Sequence, residues 1–408
     1  MLIDFVVANF RSIKEEATLS MAAARIRSRN PSTDQNNLIL RSKKPDLLKS
    51  AAIYGANASG KSNLVKALAY MRQFTLNSSK DSRSGESTGA QPFLLSSETE
   101  HQPSFFEIVI QINDAVYRYG FEVNSKIVVS EWLFRNTSTR EAKLFTRQDG
   151  AITLGPSFKE GRGLEDKTRD NALFLSVVAQ FNGALSGEVT DWFEKLAVLS
   201  GIHDQTRTFS LSCLEKQYPD EILRLIKDLD FGVENLHTKD RNPLLSDQQN
   251  DPTLFSSHTQ YDGQGQKTGE KIFDFDEAES DGTGKLFALA GPLIDTLYNG
   301  EVLVIDELDA RFHPLITTRI IQLFNSVETN KNNAQLIFTT HDVYLLNKDL
   351  FRRDQIWFTE KDRLGATALF SLAEYKIRND ASFGANYLKG KYGAIPYIGN
   401  PFRQSDAS

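Results

Sequence analysis

Residues 50–62 read SAAIYGANASGKS, a short apolar run followed by two glycines, a lysine and a serine at fixed spacing. The part from Gly55 to Ser62 fits the phosphate-loop pattern G-x-x-x-x-G-K-[ST]. Its glycines let the backbone wrap so that successive N–H groups point at phosphate oxygens, and the following helix adds its positive N-terminal end. Lys61 is expected to reach the β- and γ-phosphates, and the Ser62 hydroxyl to hold Mg²⁺. A chance glycine turn is the alternative, but helical spacing over Ser62–Phe74 favours nucleotide binding.

A second informative stretch is Glu301–Asp309, which reads EVLVIDELD. Its apolar residues predict a buried strand that ends at Asp306 and Glu307, and in a parallel sheet ligands bind at that edge. Asp306 can complete the Mg²⁺ shell, directly or through water, and Glu307 is placed to polarise an attacking water. A solvated acidic turn is the alternative, and the phosphate loop makes it the less favoured one.

A third stretch, Leu336–His341, reads LIFTTH and predicts another buried strand that ends at a histidine. A histidine near a γ-phosphate can sense it by donating a hydrogen bond. A lone histidine after a strand is more often structural, so His341 gains its functional interpretation only from the two stretches above.

The arrangement of the remaining apolar runs predicts an α/β fold. Strands alternate with helical stretches at Val302–Ile305, Leu336–Thr339 and Gln355–Phe358, which favours a mostly parallel core sheet flanked by helices. An antiparallel β lobe is expected at the N-terminal end, formed by Met1–Phe10, Phe105–Ile112, Tyr117–Val123 and Ile127–Phe134.

Other segments are assigned by composition. Ser20–Lys49 is polar and basic and is expected to be a loop or weak hairpin, and Asn77–Gly89 a mobile surface loop. Leu173–Gln180 is expected to be a strand. Asp191–Asn235 has helical spacing, and His237–Lys271 is expected to be a loop or flexible tip.

Charge and composition limit the classes of function. The chain has 408 residues, with 47 Lys and Arg against 53 Asp and Glu, a net charge of −6. That balance excludes a protein held to nucleic acid by its overall charge. The basic run Arg25–Lys44 could contact DNA phosphates, although a solvated surface is favoured.

The single cysteine, Cys213, excludes an internal disulfide framework. The apolar runs are too short to cross a bilayer and no signal peptide is recognisable, so we expect a cytoplasmic protein without a membrane partner.

Taken together, the phosphate loop, the acidic strand end and the histidine resemble the ABC-type ATPase heads of the SMC, RecF and OLD group. In that group the loop reads Gly-x-Asn-x-Ser-Gly-Lys-Ser, and Asn57, Ser59 and Gly60 match it. The resemblance implies an ABC-type head formed by residues 1–190 and 271–408, with a short helical insertion, residues 191–270, as a stubby arm.

Further site residues follow only from this resemblance. Asn9-Phe10-Arg11-Ser12 resembles the family's opening strand, which places Arg11 near the nucleotide. Gln180 would be the Q-loop residue that contacts Mg²⁺ and the attacking water, with Gln91 as a weaker candidate. The signature motif would be Ser280-Asp281-Gly282-Thr283, with Ser280 and Gly282 essential, although it departs from the common LSGGQ form. Asp309 would be the D-loop aspartate, and His341 the switch histidine.

The implied assembly is a homodimer, or a higher oligomer, in which two heads sandwich two ATP molecules and each head supplies its signature motif to the other. The catalytic residues would be Glu307, His341 and Gln180. The Mg²⁺ ligands would be Ser62, Asp306 and Gln180.

A narrower resemblance concerns the biological role. The sequence contains the motif SDGT together with VIDELD, Phe312-His313-Pro314 and a C-terminal stretch over Tyr387–Pro396. These features resemble the prokaryotic AAA-type ATPase subunits of anti-phage, abortive-infection systems, which are often encoded beside an effector nuclease. The resemblance implies an ATPase that forms ADP and phosphate and controls such an effector. The alternative is a DNA-repair or DNA-maintenance ATPase that clamps DNA. A self-sufficient nuclease is disfavoured because the sequence has no room for a nuclease module.

Overall fold

The computed structural model describes residues 1–42, 44–80, 83, 85–137, 140–201, 206–229, 232–239, 252–377 and 381–396. The strands are β1 (Leu2–Ala8), β2 (Ala17–Ser20), β3 (Leu38–Ile39), β4 (Leu47–Leu48), β5 (Ser50–Gly55), β6 (Ser104–Ile112), β7 (Ala115–Val123), β8 (Val128–Asn136), β9 (Glu141–Gln148), β10 (Ala151–Leu154), β11 (Ala197–Ser200), β12 (Asn235–Lys239), β13 (Thr253–Tyr261), β14 (Lys267–Asp274), β15 (Val302–Asp306), β16 (Gln335–Thr339), β17 (Ile356–Lys361) and β18 (Thr367–Ser371). The α-helices are α1 (Pro31–Asn37), α2 (Lys61–Asn77), α3 (Phe174–Gln180), α4 (Ala184–Lys195), α5 (Arg207–Ser212), α6 (Pro219–Asp228), α7 (Phe275–Ala278), α8 (Asp281–Asn299), α9 (Pro314–Asn325) and α10 (Phe383–Leu388).

An antiparallel sheet of seven strands forms the N-terminal lobe, in the order β10-β9-β8-β7-β6-β1-β2. Alternate residues of β6, such as Phe106, Ile108 and Ile110, are buried on one face, as the alternation of apolar residues predicts. Phe106 pairs with Phe121 across β6 and β7, and their ring centroids lie 5.3 Å apart. The predicted antiparallel meander is confirmed, and β9 and β10 extend it.

A second sheet of six strands has the order β11-β15-β16-β5-β17-β18, in which only β18 is antiparallel to its neighbour. The mixed α/β architecture with a mostly parallel core sheet is therefore confirmed. The carboxyl ends of β15, β16, β5 and β17 all lie at one edge of this sheet.

The residues of the core sheet alternate between two hydrophobic cores. Ala51 and Ile53 of β5 belong to the core that includes α2 and the antiparallel lobe. Ala52 and Tyr54 belong to the core on the other face, with the apolar residues of α8 and α9. Because every residue of β5 is buried, this strand is fixed from both sides. The loop that follows it therefore begins from a rigid position.

The structure differs from the sequence-based expectation in three segments. Ser20–Lys49 contains the helix α1 and the short β3–β4 pair rather than only a loop or weak hairpin. Leu173–Gln180, expected to be a strand, contains the helix α3. His237–Lys271, expected to be a loop, contributes to the antiparallel sheet β12-β13-β14. Part of the expected loop Asn77–Gly89 lies outside the described residues.

The expected helical insertion, residues 191–270, also differs from what the structure shows. Its strand β11 pairs in parallel with β15, so this segment supplies the edge strand of the core sheet. The helices α5 and α6 pack on α8. The segment is thus neither wholly helical nor a separate arm in its described parts. None of the helices in the described ranges combines the length and hydropathy that crossing a bilayer requires.

Candidate functional site

The loop between β5 and α2 has the backbone that a phosphate loop requires. Gly60 is the N-cap of α2 and has a φ of 111°, in the region that favours glycine. A Cβ at Gly60 would collide with the Thr367 side chain, so only glycine fits there. Ala58 also has a positive φ, 63°. The turn directs the first N–H groups of the seventeen-residue α2 toward one concave surface.

Hydroxyl groups of the β17–β18 hairpin support this loop from the side. The Ser59 and Thr359 hydroxyl oxygens lie 2.6 Å apart, and the Thr367 hydroxyl donates to the Ser59 carbonyl at 2.9 Å. The Thr367 and Ser12 hydroxyl oxygens lie 2.8 Å apart, and Asn63 Nδ2 donates to Ser12 Oγ at 2.6 Å. The N-terminal turn, the hairpin and the start of α2 are thus joined in one hydrogen-bonded network.

Lys61 lies inside the curve of the loop. Its Nζ donates to the carbonyls of Gly55 at 2.9 Å and Ala56 at 3.2 Å, and the residue is 5% exposed. Burial lowers the pKa of Lys61, against the opposing effect of Asp306, Glu307 and Asp309. An ammonium group that is poorly hydrated and close to the loop amides is well suited to bind an anion.

The acidic residues at the end of β15 are held by Thr339 of β16. The Thr339 hydroxyl donates to Asp306 Oδ1 at 2.6 Å and accepts from the Glu307 N–H at 2.7 Å. Glu307 has a φ of 58°, which is uncommon for a residue with a side chain. Gly201, which follows β11, donates its N–H to the Asp306 carbonyl at 2.6 Å. A Cβ at Gly201 would collide with the Glu307 carbonyl, so this glycine is a site feature that the sequence analysis missed.

His341 follows β16 and faces the same region. Burial, followed by the nearby Lys61 charge, lowers the pKa of His341, while three carboxylates oppose the shift. The imidazole is therefore neutral at pH 7 and can donate one hydrogen bond. Its backbone N–H donates to Asp309 Oδ2 at 3.2 Å. Asp309 Oδ1 and the Tyr54 hydroxyl are buried without a hydrogen-bond partner among the described residues.

These elements line one cavity of about 560 Å³. Its walls are formed by Asn57, Ala58, Ser59, Gly60, Lys61, Ser62, Asn63, Glu307, His341 and Lys361. The volume is within the range of small-molecule sites. Lys361, the last residue of β17, is exposed and was not predicted. A cation that ends a strand beside a phosphate loop is a signal that could have found it.

The structure does not bring Gln180 to this cavity. Gln180 is exposed at the end of α3 and lines a different cavity together with Leu76 and Lys80, near the end of α2. Lys61 begins α2, and the fifteen residues from Lys61 to Leu76 correspond to about 22 Å of helix. The role expected for Gln180 came from the family resemblance, and the residue ends the helix α3 rather than the expected strand.

Gln91, the weaker candidate, does not line the cavity either. Its carbonyl accepts from the Arg11 N–H at 2.8 Å, and Arg11 precedes Ser12 of the network described above. Asn9 and Arg11 both have positive φ values, 49° and 53°. The Arg11 guanidinium lies 5.6 Å from the Phe10 ring centroid, and Arg11 is not among the residues that line the cavity.

Ser280 and Gly282 lie at the start of α8, outside the lining of the cavity. Ser280 caps the helix, because its Oγ accepts from the Thr283 N–H at 3.1 Å. The residue before it, Glu279, accepts from Ser256 Oγ and contacts His258 Nε2, both at 2.6 Å, which ties this turn to β13. Lys285, one turn into α8, donates to the carbonyls of Leu308 at 2.9 Å and of Ala310.

The residues present fit a Mg²⁺ ion bound with phosphates. The Ser62 hydroxyl and the Asp306 carboxylate provide hard oxygen donors, which Mg²⁺ takes together with substrate phosphates and water. The Asp306 charge is close enough to Lys61 to raise the pKa of that lysine, against the effect of burial. In the part of the chain that the structure describes, no group of three or more His, Cys, Asp or Glu side chains could hold a metal ion. Phosphate and water oxygens would therefore have to complete the shell.

Comparisons with known proteins add a family and a similar structure. A family model described as "AAA domain, putative AbiEii toxin, Type IV TA system" matches residues 50–347, which include the phosphate loop, Asp306, Glu307 and His341. An SMC head domain from Thermotoga maritima is similar with 14% identity and a TM-score of 0.40, and the match covers 91% of this chain and 98% of that chain. No curated protein matches the chain.

Proposed function

Because the chain belongs to this family of AAA domains, which its description links to the AbiEii toxin, we propose that it hydrolyses ATP to ADP and phosphate in order to control a partner effector. One observation carries the proposal: the phosphate loop, Glu307 and His341 line a single cavity. The alternative, a solvated acidic turn, does not predict that Glu307 faces the phosphate loop.

Binding of the triphosphate rests on the loop and the start of α2. The N–H groups of the loop and the helix N-terminus attract phosphate oxygens, and Lys61 reaches the β- and γ-phosphates. Asn57 and Ser59 shape the loop. Ser62 and Asp306 hold Mg²⁺, which when bound neutralises charge on the phosphates. The Thr339 hydroxyl fixes the Asp306 carboxylate for this role.

Hydrolysis is assigned to Glu307 and His341. The Glu307 carboxylate orients the attacking water and accepts its proton, which in comparable sites contributes about 10² to 10⁴ in rate. The left-handed backbone of Glu307 directs it into the cavity. The neutral His341 ring donates to the γ-phosphate. Gln91, whose carbonyl accepts from the Arg11 N–H, is not assigned a contact with the attacking water.

The order of strands indicates how the nucleotide lies. Glu307 and His341 end β15 and β16, on one side of β5, whereas Lys361 ends β17 on the other side. The γ-phosphate therefore lies toward β15 and β16. Lys361 contacts the opposite end of the phosphate chain, at the α- and β-phosphates, and Arg11 lies on the same flank.

The signature residues act in a second copy of the chain. Ser280 and Gly282 do not line the cavity of their own protomer, yet Ser280 is exposed at the N-terminus of a nineteen-residue helix. The exposed N-terminus of a long helix, with the Ser280 hydroxyl beside its first N–H groups, suits a phosphate. Two heads thus pair head to tail in a twofold homodimer, and each completes the nucleotide site of the other, with Asp309 near the contact.

The experiment that tests this function compares three variants. Glu307→Gln keeps the shape of the side chain but removes the base, so it should bind ATP normally, hydrolyse it at least 100-fold more slowly and accumulate as a dimer in size-exclusion chromatography. Lys61→Ala should lose nucleotide affinity and remain monomeric. Gln180→Ala serves as the matched control with normal turnover. A Glu307→Gln protein that turns over ATP at the normal rate would overturn the assignment.

The partner is proposed to be an effector such as a nuclease in an anti-phage system, in the cytoplasm. The description of the family, which names a toxin system, supports this role. ATP-loaded Glu307→Gln should retain the effector in a pull-down from the native host, and Lys61→Ala should not. Turnover that is indifferent to DNA favours effector control, whereas strong stimulation by DNA favours the alternative of a DNA-clamping ATPase.

A further inference from the structure

A narrow cleft on the surface is lined by five cationic side chains and no acidic one. It lies between the segment 26–29 and the segment 348–353, and its cations are Arg27, Arg29, Lys348, Arg352 and Arg353. The chain as a whole is acidic, with a net charge of −6. Two carboxylates engage Arg352, and the other four cations make a local concentration of positive charge in an acidic chain.

Arg352 builds this cleft. The residue is 2% exposed, and its Nη2 donates to the Ala24 carbonyl at 3.1 Å and to Asp354 Oδ2 at 2.8 Å. Asp354 Oδ2 in turn accepts from the Ala24 N–H at 2.8 Å, and Arg352 Nη1 also pairs with Asp34. The segment that carries the exposed arginines is therefore held in place by a buried network.

Few carboxylates remain free near the other cations of this surface. Asp34 and Asp354 are both engaged by Arg352. Arg27 and Arg29 are exposed, as is Arg25 on the same segment, and among the described residues none of these three forms an ion pair. The exposed Asp349 is the only other carboxylate within residues 348–354, so the surface keeps an excess of positive charge.

We propose that this surface, defined by Arg25, Arg27, Arg29, Lys348 and Arg353, binds the phosphodiester backbone of a nucleic acid. Guanidinium groups match phosphate geometry with two parallel hydrogen bonds. The cleft itself measures about 20 Å³, room for about one water-sized group. It therefore admits an oxygen of a single phosphate rather than a whole nucleotide, and the cations around it meet neighbouring phosphates of a polymer.

The surface is separate from the nucleotide cavity. Arg353 begins the short 3₁₀ turn that leads into β17, and Gln355 Nε2, at the end of that turn, donates to the carbonyl of Ser50, the first residue of β5. The cleft is thus at the amino edge of the core sheet, whereas the phosphate loop is at the carboxyl edge. Nucleic acid and ATP do not compete for it, and this inference does not depend on the proposed ATPase function.

The test measures binding of labelled nucleic acids by fluorescence anisotropy, with a 30-base-pair duplex DNA and a 30-nucleotide single-stranded RNA as separate probes. The wild-type protein should bind at least one probe, with affinity that falls steeply between 50 and 200 mM salt. Arg27→Glu/Arg29→Glu should bind at least tenfold more weakly at 50 mM salt, with a salt slope reduced by about 2. The probe bound more tightly identifies the kind of nucleic acid.

The matched control is Lys126→Glu/Lys216→Glu, which changes the net charge equally at two exposed lysines elsewhere. It should bind as the wild type does. Basal ATP turnover and the circular dichroism spectrum should be unchanged in both double variants, and Arg27→Ala provides a milder second variant. Absence of binding to both probes, an unchanged affinity in Arg27→Glu/Arg29→Glu, or an equal loss in the control would overturn the proposal.

Discussion

Glu307 shows how much of the candidate site depends on single backbone conformations. Its φ of 58° departs from the strand that precedes it, and a left-handed conformation at such a residue costs of order 1 kcal/mol. The hydrogen bond from its N–H to Thr339 Oγ1 holds that conformation. The sequence identifies the carboxylate but not the backbone that aims it, because Thr339 lies 32 residues further along the chain.

Lys361 permits a test of how the nucleotide lies. Lys361→Ala should weaken binding of ATP and ADP by a similar factor of about 10 or more, because loss of one hydrogen bond to a charged group corresponds to about 1.5–3 kcal/mol. Titration calorimetry with Glu307→Gln as the background protein measures both affinities without turnover. Lys361→Arg should keep most of the affinity, and Arg363→Ala, an exposed neighbour, all of it. A loss confined to ATP would place Lys361 at the γ-phosphate and contradict the proposed orientation.

Glu301 provides a prediction about pH and stability. Burial, with repulsion from Asp295, raises the pKa of Glu301 to about 6. An acid whose pKa is higher in the folded state destabilises the fold once it ionises, so the penalty is present above pH 6 and absent below the unfolded pKa. Because the side chain is only half-buried, we expect Glu301→Gln to raise the free energy of unfolding by about 1 kcal/mol at pH 7.5.

The gain should fall to about 0.2 kcal/mol at pH 4.5, where the wild-type carboxyl is largely protonated in the folded state and about half protonated in the unfolded state. Urea unfolding at both pH values measures it, with Glu328→Gln, an exposed glutamate, as the control. A stabilisation by Glu301→Gln that is equal at the two pH values would contradict the assigned pKa.

Among the helices and strands, those whose residues contact their own neighbours in the sequence could be predicted from local sequence patterns. The run from β5 through the phosphate loop to α2 carries its own hydrophobic pattern and its own turn chemistry, so its structure could be predicted. β11 could not, because a four-residue strand between helices shows too little alternation and its partner β15 begins about a hundred residues later. For α3, the sequence pattern is ambiguous, because a seven-residue segment with five buried residues in succession is compatible with either a strand or a helix.

The prediction of site residues from the sequence is limited in the same way. Glycines and a lysine at fixed spacing identified the phosphate loop, whereas Gly201, Lys361 and Lys285 owe their positions to pairing between distant elements. The Q-loop role of Gln180 came from the family pattern, and its segment was expected to be a strand but is the helix α3.

Lys285 connects the proposed signature turn to the segment after β15. Its Nζ is held by the carbonyls of Leu308 and Ala310, and it lies 4.2 Å from the Phe312 ring centroid. We expect Lys285→Met to bind ATP with normal affinity but to form the ATP-dependent dimer at least fivefold less well, because the signature turn loses its fixed position relative to Asp309. Analytical ultracentrifugation in the Glu307→Gln background measures the dimer. Lys285→Arg is the conservative control, which should restore dimerisation in part, and loss of monomer ATP affinity in Lys285→Met would contradict a purely positioning role.

At the scale of the whole molecule, the two sheets form one unit around the β5–α2 connection. Gln335 joins them, since its Oε1 accepts from the Leu2 N–H at 2.6 Å and its Nε2 donates to the carbonyls of Leu2 and Leu48, both at 3.1 Å. The family match agrees with the resemblance to abortive-infection ATPases that the motifs indicated. The proposed dimer requires this rigidity, because Ser280 can complete a distant phosphate loop only if its own head moves as one body.

Mixing two inactive variants tests whether two chains share one nucleotide site. Lys61→Ala keeps an intact signature turn but no functional phosphate loop, and Ser280→Arg keeps the loop but blocks the turn. In a head-to-tail pair, a mixed dimer contains one site assembled from the two intact halves and one from the two altered halves, so an equimolar mixture in which all chains pair should recover up to about half of the wild-type ATP turnover. A mixture that stays as inactive as either variant alone, although both variants are folded, would contradict the sharing of one nucleotide site by two chains.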